Sequence, residues 1–157
     1  MLRPATVADI GFLRAFYGEL RATELAGVAW PEAFKRDFLD QQFTLQHRSY
    51  TTRFPGGDFL LIEQAGCAIG RLYLDRHGAD WHLIDIGLLA AAQGHGIGTA
   101  LIGRVQALAG EQGAGLGLHV RLDNQRARAL YESLGFEAGA TEGHHLAMRW
   151  IVPSAVS

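Results

Sequence analysis

Residues 93–101 read Gln-Gly-His-Gly-Ile-Gly-Thr-Ala-Leu: three glycines alternate with other residues and an apolar run follows. Glycine costs roughly 0.5–1 kcal/mol in a helix relative to alanine. Three of them at a helix start imply a close approach of backbone to a ligand, or a tight turn with close helix packing. An apolar, strand-like stretch, "WHLIDIGLL", runs directly into the glycines, and a helical pattern leaves them. That order makes an anion site. The first N–H groups of a helix lack intrahelical partners and together carry about half a positive charge. Glycines let a phosphate reach them. A dinucleotide loop, G-x-G-x-x-G counted from Gly94, requires a glycine where Thr99 stands. A Walker A loop requires a lysine after its last glycine, but Thr99 follows Gly98 directly.

Other residues able to do chemistry are scattered. Asp85 lies within the apolar "LIDIG", where a carboxylate is costly unless paired. It could serve as a base, an anchor for a substrate amine, or the partner of a buried arginine such as Arg71. His82 is in the same strand and has a suitable ionisation range for a base. Strand alternation puts His82 and Asp85 on opposite faces unless a bulge intervenes. Seven histidines do not imply a metal, because no HxxxH or CxxC pair occurs and the adjacent His144 and His145 point apart in a strand. No metal site is expected. The one cysteine, Cys67, reads as a small buried hydrophobe.

The elements that position these residues follow from pattern. "MLRPAT" reads as a short strand. A helix follows with Ile10, Leu13, Phe16, Tyr17 and Leu20 at helical spacing, Thr6 as N-cap and Asp9 three residues on. Residues 30–54 form a second helix with Pro31 in its first turn and an apolar face of Phe34, Phe38, Phe43 and Leu45. "DFLLIEQ" and "CAIGRLYLD" are strands joined at Ala65-Gly66. The strand 81–89 is apolar enough to be central in its sheet. Ile97, Leu101, Val105 and Leu108 line one face of the helix after the glycines. "GLGLHV" is a strand, "NQRARALYESLGF" a helix stopped at Gly135, and "FEAGATEGHHLAMRWIV" a closing pair of strands. One domain, residues 1–157, is expected.

Bulk properties bound the class. The chain has 157 residues, 48% of them hydrophobic, and a net charge of −2. It is globular, with no basic surplus for nucleic acid. It has no 18-residue apolar span for a membrane and no signal-peptide pattern. A cytoplasmic location is expected.

Two patterns in order resemble one family. Gln93, Gly96 and Gly98 match Q/R-x-x-G-x-G/A, the pyrophosphate loop of the GNAT superfamily of acyl-CoA-dependent N-acyltransferases. Asn124, Ala127, Leu130, Tyr131, Gly135 and Phe136 match its N-x-x-A-x-x-L-Y-x-x-x-G-F element. The resemblance covers residues 1 to about 152 in element order and is specific over 81–136. It implies a mixed α/β fold with a mostly antiparallel sheet of about seven strands, flanked by helices, in which parallel strands four and five splay apart.

The resemblance further implies transfer of an acetyl group from acetyl-CoA to a primary amine by direct attack in a ternary complex. The amine would belong to a small molecule, a peptide or a protein. The alternative is a non-catalytic module that senses acyl-CoA. Cofactor contacts are implied for the backbone of Gln93, Gly94, His95, Gly96, Ile97, Gly98 and Thr99, for Ile86, Gly87 and Leu88 along the pantetheine arm, and for Asn124 and Tyr131. Tyr131 would be the general acid. His82 stands six residues before Leu88, where some members carry a basic glutamate. Asp85 competes with it for the role of base. Glu63, His119 and His145 could line the cleft, and Trp30 and Tyr50 could wall it. Ala90 and Gln93 stand where many members have a proline and an arginine, which removes a charge from the pyrophosphate loop. Dimers are common in such folds.

Overall fold

In the computed structural model, residues 1–153 are described; the expected domain's last four residues, 154–157, lie outside them. One seven-stranded sheet runs β1-β2-β3-β4-β5-β7-β6. Its strands are β1 (Leu2–Pro4), β2 (Asp58–Gln64), β3 (Cys67–Asp75), β4 (Asp80–Leu88), β5 (Gly115–Arg121), β6 (Glu137–Glu142) and β7 (His145–Trp150). The helices are α1 (Ile10–Leu25), α2 (Glu32–Arg53), α3 (Ile97–Glu111) and α4 (Gln125–Ser133). Every strand pair is antiparallel except β4 with β5.

The sheet separates two clusters. Leu72, Leu74, Trp81, Leu83, Leu116 and Leu118 pack with Leu101, Ile102, Val105 and Ala109 of α3 on one face. Leu61 and Tyr73 pack with Leu13 and Tyr17 of α1 and Phe43 of α2 on the other. Both faces of β4 are covered, as its apolar composition predicts. Asp9 closes the start of α1: its carboxylate accepts from Thr6 N–H at 2.8 Å and from both terminal nitrogens of Arg3.

The helical faces differ from expectation in three places. In α2 only Phe43 is buried, while Phe34 and Leu45 are each 56% exposed. Leu45 follows Phe43 by two residues, which turns it to the opposite side of the helix. Phe34 and Phe38 pack on Trp30 at 5.0 and 5.5 Å between ring centres, a local cluster away from the sheet. Leu108 lies at the margin of the α3 stripe and is half exposed, whereas Ile102 and Ala109 take the buried positions. Leu20 is likewise partly exposed at the edge of α1. Cys67 is also not the buried hydrophobe expected: it opens β3 on the surface beside the hairpin turn.

That turn carries a measurable strain. Ala65 and Gly66 both have positive φ, 53° and 79°, the two-residue geometry that matches strand twist. Gly66 adopts it freely, but a left-handed alanine costs roughly 1–2 kcal/mol. Ala65→Asn is therefore expected to raise the thermal midpoint by about 2–4 °C, since about 1 kcal/mol moves a domain of this size by that much. Differential scanning calorimetry of the two proteins checks it.

Candidate active site

β4 and β5 pair only from Asp80↔Gly115 to Leu83↔Leu118. Beyond Leu83 the strands part, while β4 stays on β3 as far as Leu88↔Gly70. Leu89 N–H donates to Ile69 C=O at 2.7 Å. Antiparallel alternation then turns the backbone groups of Ile86 and Leu88 away from β3, toward the gap. A cleft of about 480 Å³ opens there, lined by residues of α2, β4, β5, α4 and the β6–β7 hairpin.

A bulge decides which side chains face it. Tyr73 pairs with Asp85 but Leu74 pairs with Leu83, so Ile84 is the extra residue. This shifts alternation by one. His82 and Asp85 therefore both face the cleft, instead of opposite sides.

Asp85 is tied down. Arg71, 3% exposed, donates from Nε to Asp85 Oδ2 at 2.5 Å and from a terminal nitrogen to Gln46 Oε1 at 2.9 Å. Of the three roles open to Asp85 in the sequence, this geometry is the ion pair with Arg71. His82 is stacked on Phe54, ring centres 5.6 Å apart and 12° from parallel. Burial, with His119 and Arg53 nearby, pushes its imidazole below the ordinary histidine range, and Asp75 partly opposes the shift. That shift favours the neutral ring, which can accept a proton.

Tyr131 comes from α4, which is fastened at both ends. Asn124 Oδ1 accepts from Ala127 N–H at 3.1 Å as N-cap. At the other end Gly135, φ 95°, closes a Schellman motif: Phe136 N–H donates to Tyr131 C=O and Gly135 N–H to Glu132 C=O, both at 3.0 Å. The Phe136 ring packs edge-on against Tyr131 at 5.7 Å. Gln106 of α3 donates to Leu134 C=O at 2.8 Å. Burial, and then the charge of Asp85, push the Tyr131 hydroxyl above the usual tyrosine value, so it holds its proton at neutral pH.

The glycine loop lies between β4 and α3. Gly94 and Gly96 have φ of 80° and 78°, and Gly96 is the N-cap of α3. Their type is accounted for by backbone conformation alone. Gly98 differs: it is helical, its φ is not positive, and a Cβ there would meet only Leu88 Cδ1 at 4.0 Å. The first amide bond of the helix runs from Ala100 to Gly96 C=O, so the N–H groups before it face outward as at any helix start. A phosphate fits this donor set. The Gln93 side chain turns back and donates to Leu88 C=O at 3.0 Å.

His119, His145, Tyr50 and Asn124 also line the cleft. Glu63 does not; it pairs with Arg3 at 2.9 Å on the β1–β2 edge. Trp30 belongs to the exposed α2 cluster. Arg53, Phe54 and Glu142 are cleft residues that the sequence did not mark. Arg53 and Phe54 fall where α2 ends ahead of Pro-Gly-Gly, a signal that reads only as a helix stop.

The sequence model of the acetyltransferase (GNAT) family matches residues 15–136. The chain belongs to that family. Family membership makes it an acyl-CoA-dependent N-acetyltransferase. No curated protein sequence matches it. Among solved structures, it is similar to the PaiA N-acetyltransferase of Thermoplasma acidophilum in complex with coenzyme A, with 18% identity, 96% of this chain and 98% of that one covered, and a TM-score of 0.72. A histone acetyltransferase HPA2-related protein of Corynebacterium glutamicum matches with 22% identity, 100% and 98% coverage and a TM-score of 0.69. The ribosomal-protein-S18-alanine N-acetyltransferase of Escherichia coli matches with 22% identity, 99% and 96% coverage and a TM-score of 0.65. The GNAT fold of this chain is thus matched end to end. No helix of the described residues is long and apolar enough to cross a membrane.

The buried pair gives a stability test. Removing one partner of a buried ion pair leaves the other charge uncompensated and costs about 3–5 kcal/mol. Asp85 is partly exposed, so Asp85→Ala is expected at the low end, about 3 kcal/mol, in urea unfolding. Arg71→Met added to it should recover much of that loss.

Proposed function

We propose that this GNAT protein, as one domain of residues 1–157, moves an acetyl group from acetyl-CoA to a primary amine by direct attack. The observation that carries the proposal is the parting of β4 and β5, which opens one cleft lined by Tyr131 and, on the strand that runs on into the glycine loop, by His82 and Asp85. The backbone of residues 93–99 would hold the pyrophosphate, and the gap-side N–H and C=O of Ile86 would pair with the pantetheine arm as an added strand does, which leaves Leu88 N–H for the thioester. Gly87 lies between them and keeps β4 close beneath Phe16, since a Cβ on it would reach Phe16 Cζ at 3.1 Å. The bound cosubstrate supplies a thioester carbonyl for attack.

The chain's residues supply the rest. An alkyl ammonium with a pKa near about 10.4 costs roughly 4–5 kcal/mol to deprotonate at neutral pH. His82 takes that proton as the amine attacks. Leu88 N–H faces the negative charge that develops on the thioester oxygen. Tyr131 gives its hydroxyl proton to the departing thiolate and recovers one from the nitrogen of the tetrahedral intermediate, which sheds its second proton as the amide forms. Asp85 is held by Arg71 and serves as a fixed negative charge near the attacking ammonium rather than as the base. Asn124 sets the start of α4 and hence the place of Tyr131.

Two measurements test this reading. Acetyl-CoA at about 100 times its dissociation constant should stabilise the protein by about 2.7 kcal/mol, a midpoint rise of about 5–10 °C. Gly98→Glu should keep the unliganded midpoint and lose the rise, because position 98 has room for a side chain and no left-handed backbone. Gly96→Glu would confound binding with strain. No rise in the wild type would sink the cofactor site. Tyr131→Phe should lower kcat about 100-fold, the lower range for acid–base catalysis, with acetyl-CoA binding retained; unchanged turnover would remove Tyr131 as the acid.

A further inference from the structure

His82, His119 and Glu142 come from three different strands and meet at one side of the cleft. The register explains how. His82 of β4 lies opposite Gly117 of β5. A Cβ on Gly117 would stand 3.8 Å from His82 Nδ1, so the glycine gives the imidazole room to lean over β5. His119 is two residues further along the same face. The two rings are 5.3 Å apart between centres and tilted by 53°. His119 Nε2 is in turn 3.1 Å from Glu142 Oε2. Exposure rises along this line: His82 is half-buried, the His119 side chain is 37% exposed and that of Glu142 65%.

We propose that His119 and Glu142 form, with His82, a proton relay that carries the acceptor amine's proton out of the cleft to solvent. The inference rests on the reading of His82 as base. The balance is simple. The ammonium nitrogen loses one proton to His82, whose ring becomes cationic. His82 releases a proton toward His119, whose ring centre is 5.3 Å away. His119 becomes the cation beside the Glu142 carboxylate and releases the proton to bulk water. Both histidines end neutral; one proton of the ammonium has gone to solvent, and the second, lost as the amide forms, replaces the one that Tyr131 gave to the thiolate.

Charge around His82 makes the second station useful. Arg53 of α2 faces it, as do Asp75 of β3, Asp85 of its own strand and Tyr131 of α4; His145 and Glu142 close the hairpin side. Asp85 is already matched by Arg71 and Asp75 accepts from His77. A cation left on His82 would stand near Arg53 with little compensation. At His119 it stands 3.1 Å from a carboxylate. His119 and Glu142 are positioning residues in this scheme, since neither touches the amine.

The test follows ring-labelled histidine signals of the full chain by NMR between about pH 5 and 8, where histidine charge changes. His119→Asn should move the His82 curve to higher pH, because a neighbouring ring that can carry positive charge is gone. Turnover of acetyl-CoA is measured in parallel with spermidine and with an alanyl peptide amide as probes. His119→Asn and Glu142→Gln should each lower kcat about 10-fold, a part of the contribution expected of base catalysis, with KM unchanged. A His82 curve that is identical in wild type and His119→Asn overturns the relay even where neither probe is acetylated. Unchanged kcat in both relay variants, with His82→Gln impaired, also overturns it and leaves the base assignment standing. Full activity in His82→Gln removes the base and the relay together.

Discussion

Parallel pairing between β4 and β5 lasts four residues, and the cleft depends on its ending there. A strand that loses its neighbour leaves N–H and C=O groups without partners, a cost that water or a ligand has to offset. On β4 those groups belong to Ile86 and Leu88. The same strand carries a bulge at Ile84, just past the last paired residue. The bulge keeps Trp81 and Leu83 in the α3 core while Ile86 and Leu88 return to that same core beyond it. It thereby sends His82 and Asp85 together to the opposite face. One inserted residue, next to the point where β5 leaves β4, decides which side chains of β4 face the opening.

Position along α4 is set by its ends rather than by its buried face. None of its residues is fully buried, so packing alone would leave a nine-residue helix loosely placed. The Asn124 cap, the Gly135 turn and the Gln106 bond to Leu134 fix it at both termini. The Phe136–Tyr131 contact is the hydrophobic closure that accompanies such a turn. The sequence element that resembles the family's is therefore a set of helix ends with Tyr131 held between them.

Much of this was legible from local signals. The β2–β3 hairpin follows from period two and a two-residue turn, the loop from its glycines, and α4 from its caps. Partners far apart in sequence were less legible. The Arg71–Asp85 pair could be named because a charge within an apolar strand needs a match. Its consequence for the face of Asp85 could not, because a bulge has no composition signal at Ile84. Phe54 and Arg53 enter the cleft only because α2 ends where the splayed strands begin. Phe34, Leu45 and Cys67 were misplaced for a related reason: apolar character predicts burial only where a partner element covers that side. Glu142 and His119 meet through strand order, which composition does not encode.

Gln93 gives the glycine loop a different contact from the one an arginine would make. An arginine would add a charge toward pyrophosphate. Glutamine instead turns inward and donates to Leu88 C=O, the gap-side acceptor at the end of β4. Its bond ties the loop to the strand across five residues and satisfies one of the exposed carbonyls. The N–H of Leu88 is left facing the gap. The end of β4 then offers a donor without an equally free acceptor beside it. On the proposed mechanism that asymmetry favours an oxygen that is gaining negative charge, because a neighbouring free carbonyl would repel it. On the same proposed mechanism, the charge that an arginine would bring to the loop is exchanged for a bond that orders the end of β4, where the thioester oxygen would lie.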